Sequence, residues 1–217
     1  MVNMLNNCNL YRLSVLHGFI VYFSFVVMLG LRDNKNMRVT TDFSVIPDQY
    51  SKHAPAPLQA DGMAIMSFPF YVDQLKPGTQ YLHWALVDDD AIPVCGFQWI
   101  HWAVANVPVD ALMFDMNDAQ AVEIPEDFSR MMMSMVPEAL CGRNSTAGSM
   151  IGSDNPQVYM HYVGPQPPDA DHYYKLMVWE SEQPLELNQG FWLNQMYHEL
   201  NKAQINNPAW LYLVGRR

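Results

Sequence analysis

"VDDDAIPVCGFQWIHW", residues 87–102, sets three consecutive carboxylates, Asp88, Asp89 and Asp90, a few positions ahead of an aromatic run that reaches a histidine. The run goes on as "IHWAVANV" (100–107), continuously apolar in the way of a buried strand. Side chains alternate along a strand, so Ile100, Trp102 and Val104 are expected on one face and His101, Ala103 and Ala105 on the other. His101 would then stand over small neighbours, with space beside it for a ligand.

The flanking sequence has the same character. "MAIMSFPF" (63–70), "QYLHWALV" (80–87), "VYMHYV" (158–163) and "HYYKLMVW" (172–179) are short apolar or alternating runs separated by Pro and Gly, which predicts five or more core strands in packed sheets. "AWLYLV" (209–214) closes the domain as a further strand. Trp192, Leu193, Met196, Tyr197, Leu200 and Ala203 recur at helical spacing, predicting one amphipathic helix packed on a sheet. Residues 108–157, Met-rich and acidic and ending in "GRNSTAGSMIGSDNP" (142–156), read as a long excursion with little regular structure, in which Met131, Met132 and Met133 are loop packing.

Half of the 217 residues are hydrophobic, enough to bury a sizeable core. Acidic residues outnumber basic ones 22 to 12, for a net charge of −10, and the basic residues never cluster, which argues against nucleic acid as a partner. Cys8, Cys95 and Cys141 lack C-x-x-C spacing, so neither a disulfide framework nor a zinc site is expected, and a reducing, cytoplasmic setting fits. Residues 1–36 form an apolar N-terminal extension to a domain at 37–217. Within it Leu13 to Leu31 lacks Asp, Glu, Lys and Arg and as a helix would reach about 28 Å, close to a bilayer's hydrocarbon thickness. It reads either as an anchor with the domain on the cytoplasmic side, the one setting in which a membrane is a partner, or as the product of a misplaced start ahead of Met37. A cleaved signal fits less well, because no A-x-A-like site follows.

His172 and Tyr174 are two positions apart and share a strand face. Before them "GPQPP" (164–168) is stiffened by its prolines, and Gly164 allows close approach of backbone to a ligand, as a pocket rim requires. His53, His83, His161 and His198 have no comparable surroundings and read as structural or exposed. Asn144-Ser145-Thr146 matches a glycosylation sequon that has no meaning in a cytoplasmic chain.

"DDDAIP", "WIHWAVANVP", "GRNS" and "YVGPQPPDADHYYKLMVWE", in that order and spacing, resemble the phosphatidylethanolamine-binding protein family in its bacterial branch, over roughly residues 37–217. The resemblance implies a mainly β fold, two antiparallel sheets in a Greek-key sandwich with a few peripheral short helices, and a small anion pocket at one end. It places ligand-binding roles on Asp88, Asp90, Trp99, His101, Gly164, Pro165, Pro167, Pro168, His172 and Tyr174. Two departures stand out: the usual D-P-D-A-P is Asp88-Asp89-Asp90-Ala91-Ile92 with Pro93 one place later, which puts the family's cis bond in question, and the position after the second histidine, often basic, is Tyr173.

Asp88 or Asp90, hydrogen-bonded to His101, is expected to hold that ring cationic so that a phosphate or carboxylate can be received by His101, His172, Tyr174 and backbone N–H groups near Gly164. Trp99 and the Met-rich excursion would supply apolar walls, and Asp89 would cap its own turn. The function expected is binding of a small anion, such as phosphate, a phospholipid head group or a nucleotide, without cofactor, metal or catalytic residue. Two other readings are a rim that docks a protein such as a kinase, as some eukaryotic relatives do, and a phosphoester-acting or metal-dependent enzyme built on the same Asp/His pocket. No H-E-x-x-H, Walker or G-x-S-x-G motif supports the last.

Overall fold

The computed structural model describes residues 36–115 and 118–217, and residues 36–217 form one compact unit. The segment read as an anchor or misplaced start lies outside the described residues. Among those described, no helix is long and apolar enough to cross a membrane.

The strands in chain order are β1 (Arg38–Thr40), β2 (Gln59–Ala60), β3 (Met63–Ala64), β4 (Phe70–Asp73), β5 (Tyr81–Asp88), β6 (Trp99–Pro108), β7 (Met113–Asp115), β8 (Asp118–Ile124), β9 (Leu140–Arg143), β10 (His172–Ser181), β11 (Phe191–Trp192) and β12 (Ala209–Gly215). The helices are α1 (Ile92–Cys95), α2 (Phe128–Met135), α3 (Pro156–Tyr159) and α4 (Leu193–Lys202). One sheet runs β1-β4-β8-β7 and the larger one β11-β9-β6-β5-β10-β12, while β2 and β3 pair alone. The pairs are antiparallel except for the parallel edge pair β11–β9, a departure from the purely antiparallel expectation.

Alternation along the long strands builds two cores. Leu82, Trp84 and Leu86 of β5, Trp102 and Val104 of β6, and Tyr174, Leu176 and Val178 of β10 face the first sheet's Phe70, Val72, Val122 and Ile124. Aromatic rings lock this layer edge to face, with Trp84 and Trp102 centroids 5.3 Å apart and Phe68 against Tyr162 at 5.8 Å. The other face of the larger sheet carries Ala85, Val87, Ala103 and Ala105, whose small side chains admit Leu193, Met196 and Leu200 of α4. The helix and the closing strand β12 stand where the sequence places them.

Other local expectations fail. Residues 158–163 are not a strand: Asn155 caps α3 through its side chain, and Asn144 donates both amide hydrogens to the carbonyls of Val158 and His161, diverting that backbone from any ladder. "MAIMSFPF" keeps only its ends in β3 and β4. The stretch 108–157 holds β7, β8, α2, β9 and α3, and Met132 is a fully buried helical residue rather than loop packing. Tertiary burial offset the weak local signal there. The sequon is structural: Asn144 is fully buried, and its Oδ1 accepts from Thr146 N–H and from the Thr146 hydroxyl.

Candidate ligand site

A β-bulge creates the site. In the β5–β6 ladder Leu86 faces Trp102 but Val87 faces Ile100, which leaves His101 as the extra residue. A bulge breaks the alternation and turns the side chain it contains. Ile100 therefore packs with Ala103 and Ala105 under α4, while His101 lies on the Trp102 side, its ring 5.0 Å from that of Tyr174. This overturns the expectation that His101 shares a face with Ala103 and Ala105. The Ile100 N–H at the bulge donates to Ser145 Oγ at 2.8 Å, so the "GRNS" segment satisfies the group that the irregular ladder releases.

Beyond the bulge the register aligns the rest. Asp88 at the end of β5 is flanked by Trp99 on β6 and Tyr174 on β10. His172, two residues before Tyr174, is on the same face of β10. Tyr174 itself fits only because β12 ends in Gly215, where a Cβ would lie 2.4 Å from the tyrosine ring and 2.9 Å from Pro165.

The three aspartates do three different things. Asp88 is buried; its Oδ1 accepts from Ala91 N–H at 3.1 Å and its Oδ2 from His172 Nδ1–H at 2.8 Å. Asp89 accepts from Gln98 Nε2 and pairs with Lys175 at 3.2 Å, contacts that hold its pKa below the usual value, the Gln98 bond foremost. Asp90 accepts from the backbone N–H of Tyr173 and is not part of the cavity wall. Thus Asp88, not Asp89, caps its own turn, and Asp90 is a strand clamp.

The cavity, about 240 Å³, is walled by Asp88, Trp99, His101, Gly164, Pro167, Pro168, His172 and Tyr174 of the ten residues expected. Asp90 and Pro165 are outside the wall. Pro165 is instead buried, its carbonyl accepting from Lys52 N–H. The remaining wall is mostly apolar, with Met63, Val94 and Ile151. Among the described residues the 108–157 stretch contributes Ile151 to the wall but no methionine. Gly164 lies in the wall, and its lack of a side chain also serves the chain: its N–H donates to the Ala64 carbonyl, and a Cβ there would lie 2.4 Å from the Tyr50 carbonyl oxygen. No peptide bond among the described residues is cis.

The charge arrangement also differs from expectation. His172 donates from both ring nitrogens, Nδ1–H to Asp88 and Nε2–H to Asp169 Oδ1 at 2.9 Å. Burial opposes protonation of this ring, but the hydrogen bonds and charges of Asp88 and Asp169 outweigh it and raise the pKa above its ordinary value. His101 is the neutral one. Burial pushes its pKa down to about 4, against the opposing pulls of its bond to the Val163 carbonyl and of the Asp88 charge. With Nδ1–H donating to Val163 O at 2.8 Å, the lone pair is on Nε2. The Tyr174 hydroxyl is buried with no hydrogen bond of good geometry, its one acceptor nearby being the Asp88 carboxylate, and burial followed by the Asp88 charge raises its pKa strongly. Among the described residues no three His, Cys, Asp or Glu side chains converge as a metal ion would need.

With this geometry in view, comparison with known proteins is specific. The sequence profile of the family described as "Phosphatidylethanolamine-binding protein" matches residues 37–211. The chain belongs to the phosphatidylethanolamine-binding protein family. Within it the uncharacterized protein YxkA of Bacillus subtilis is 39% identical over 155 residues, 71% of this chain and 84% of that one. Escherichia coli YbcL, described as a member of the mammalian PEBP family, superposes with a TM-score of 0.60 at 20% identity, covering 84% of this chain and 99% of that chain. A Chlamydia trachomatis protein described as a homologue of phosphatidylethanolamine-binding protein gives a TM-score of 0.53 at 22% identity, over 83% and 96%. The bacterial relatives and the mainly β sandwich agree with the resemblance read from the four motifs.

The sequence reading missed Val163, Ser145, Asn144, Asp169 and Gly215. Asn144 and Ser145 belonged to a quoted motif, but only their long-range partners reveal that they brace the bulge and the loop leading to Gly164. Val163 does the same from the other side, its N–H donating to the His101 carbonyl while its own carbonyl holds the ring.

Proposed function

We propose that this member of the phosphatidylethanolamine-binding protein family is a ligand-binding protein whose cavity receives a small anion, either phosphate or the phosphorylated end of a larger molecule. The observation that carries the reading is the buried Tyr174 hydroxyl in the cavity wall, which makes no hydrogen bond of good geometry, beside a doubly protonated His172. A buried donor left wholly unsatisfied costs about 1–3 kcal/mol, and an oxyanion accepting a well-aligned bond from Tyr174 recovers part of that. Asp88 balances the His172 charge, so the attraction comes from short charge-assisted hydrogen bonds in an apolar enclosure more than from net positive potential. His101 joins by taking up a proton, since a bound anion favours its charged form. The apolar walls at Met63, Val94, Trp99 and Ile151 suit a compact, uncharged body attached to the anion.

Titration with inorganic phosphate, followed by NMR of the histidine rings, tests this. The pKa values of His101 and His172 are expected to rise together, while exposed His53 and His198 serve as internal references. Tyr174→Phe should weaken binding about five- to tenfold, the worth of one hydrogen bond. Rings of His101 and His172 that respond no more than those of His53 and His198 would remove the basis of the reading.

A further inference from the structure

We propose that the Asp169 carboxylate is an internal competitor for the ligand: it occupies the His172 donor that a bound anion uses and swings into solvent when the anion arrives. This rests on the anion-binding reading above. His172 Nε2–H, the donor left over once Asp88 has taken Nδ1–H, points to Asp169 Oδ1 at 2.9 Å. The backbone N–H groups of Asp169 and Ala170 also favour the ionised form of that carboxylate, which has a lowered pKa of which the His172 bond is the largest cause. The ring thus gives its remaining donor to a carboxylate of the protein's own, as it would to a bound oxyanion.

The two partners of His172 are held very differently. The ring and Asp88 have side-chain exposures of 4% and 5%, and both belong to strands in the middle of the larger sheet. Asp169 is 61% exposed and lies in the short exposed segment 168–171. That segment hangs between fixed points: Lys52 N–H and Nζ hold the carbonyls of Pro165 and Pro167 on one side, and β10 begins at His172 on the other. Asp169 can leave by side-chain rotation without disturbing the ring, because the carboxylate is already mostly in solvent while only the ring is buried.

Charge gives the contact its consequence. With Asp169 in place one imidazolium is flanked by two carboxylates, and an incoming anion meets an excess of one negative charge. With Asp169 turned outward, His172 and Asp88 balance and Nε2–H is free. The apparent affinity is then the intrinsic one reduced by the fraction of molecules in which Asp169 is displaced. Weakly binding anions are thereby turned away, and Asp169 sets the threshold of the site.

The test compares wild type with Asp169→Ala and Asp169→Asn, each titrated with inorganic phosphate and, in a second arm, with glycerophosphoethanolamine, to separate free phosphate from a phosphorylated head group. Both variants are expected to bind at least one of the two ligands roughly tenfold more tightly than wild type, with a gain that shrinks in about 0.5 M sodium chloride. Before ligand is added, the His172 ring should show a lower pKa in both variants with its Nδ1–H bond to Asp88 retained. Equal or weaker binding by the variants, with wild-type binding measurable, would overturn the competition and leave Asp169 as a support for the ring. If neither ligand moves His101 or His172 in any of the three proteins, the anion-binding reading falls, and the competition with it.

Discussion

Asp88→Asn isolates the interaction that sets the charge of the site. Asp88 and His172 are both buried and 2.8 Å apart, while the second Asp88 oxygen accepts from Ala91 N–H. Asparagine keeps the shape and one acceptor oxygen, so the turn bond survives and the charge-assisted bond is lost. Such a bond to a charged group is worth about 1.5–3 kcal/mol, and breaking a buried pair outright costs about 3–5. With half of the carboxylate's bonding retained, a loss of about 2–3 kcal/mol is expected at pH 6, where His172 is protonated in the folded wild type. With a urea dependence of about 2 kcal/mol per molar, the unfolding midpoint falls by about 1 M. The sign with pH follows from the raised His172 pKa: the stability it contributes is complete below the unfolded value of about 6.5 and fades as pH rises through the folded value. The cost of Asp88→Asn should accordingly shrink above that point. Asp169→Asn, at an exposed carboxylate, should move the midpoint far less. If the two variants shift the midpoint equally, or if His172 titrates in Asp88→Asn as in wild type, Asp88 is not what holds the ring protonated.

Three further outcomes are expected. Ser145→Ala leaves the Ile100 N–H at the bulge without its acceptor and should cost about 1–3 kcal/mol in urea unfolding, with ring-shift changes at His101 that a distant cavity would not produce. Gly215→Ala drives a methyl group against the Tyr174 ring and Pro165, an overpacking expected to cost about 1–3 kcal/mol and to displace Tyr174 in a crystal structure of the variant. Burial lowers His83 to about 3 and His101 to about 4, so between pH 6.5 and those values the unfolded chain binds more protons and stability drops as pH falls. By pH 5 the two rings together should remove about 4 kcal/mol, and His83→Gln should flatten roughly half of that slope in a series of urea midpoints.

Most of the site was legible because its residues lie at the ends of strands whose alternation is local. His172 and Tyr174, two apart on β10, share a face because nothing interrupts that strand. Trp99, Pro167 and Pro168 line the cavity as the motifs imply. The strand misreadings have a common cause. "VYMHYV" has the apolar character of a strand, but the Asn144 side chain fourteen and seventeen residues earlier takes the Val158 and His161 carbonyls, and no window over 158–163 contains that competitor.

The amino-acid sequence alone determined the sandwich, an amphipathic helix packed on a sheet and the set of polar residues available at one end, since these follow from short-range periodicity and from the order of four motifs. Which acid meets which histidine was decided by the tertiary structure. A bulge answered by Ser145 turned His101 away from Ala103, β10 brought His172 to Asp88, and burial left His101 neutral while two carboxylates kept His172 charged. Hydrogen bonds and pKa values depend on distances of a few ångströms between residues as much as 84 positions apart, and residue spacing along a chain carries no information at that scale.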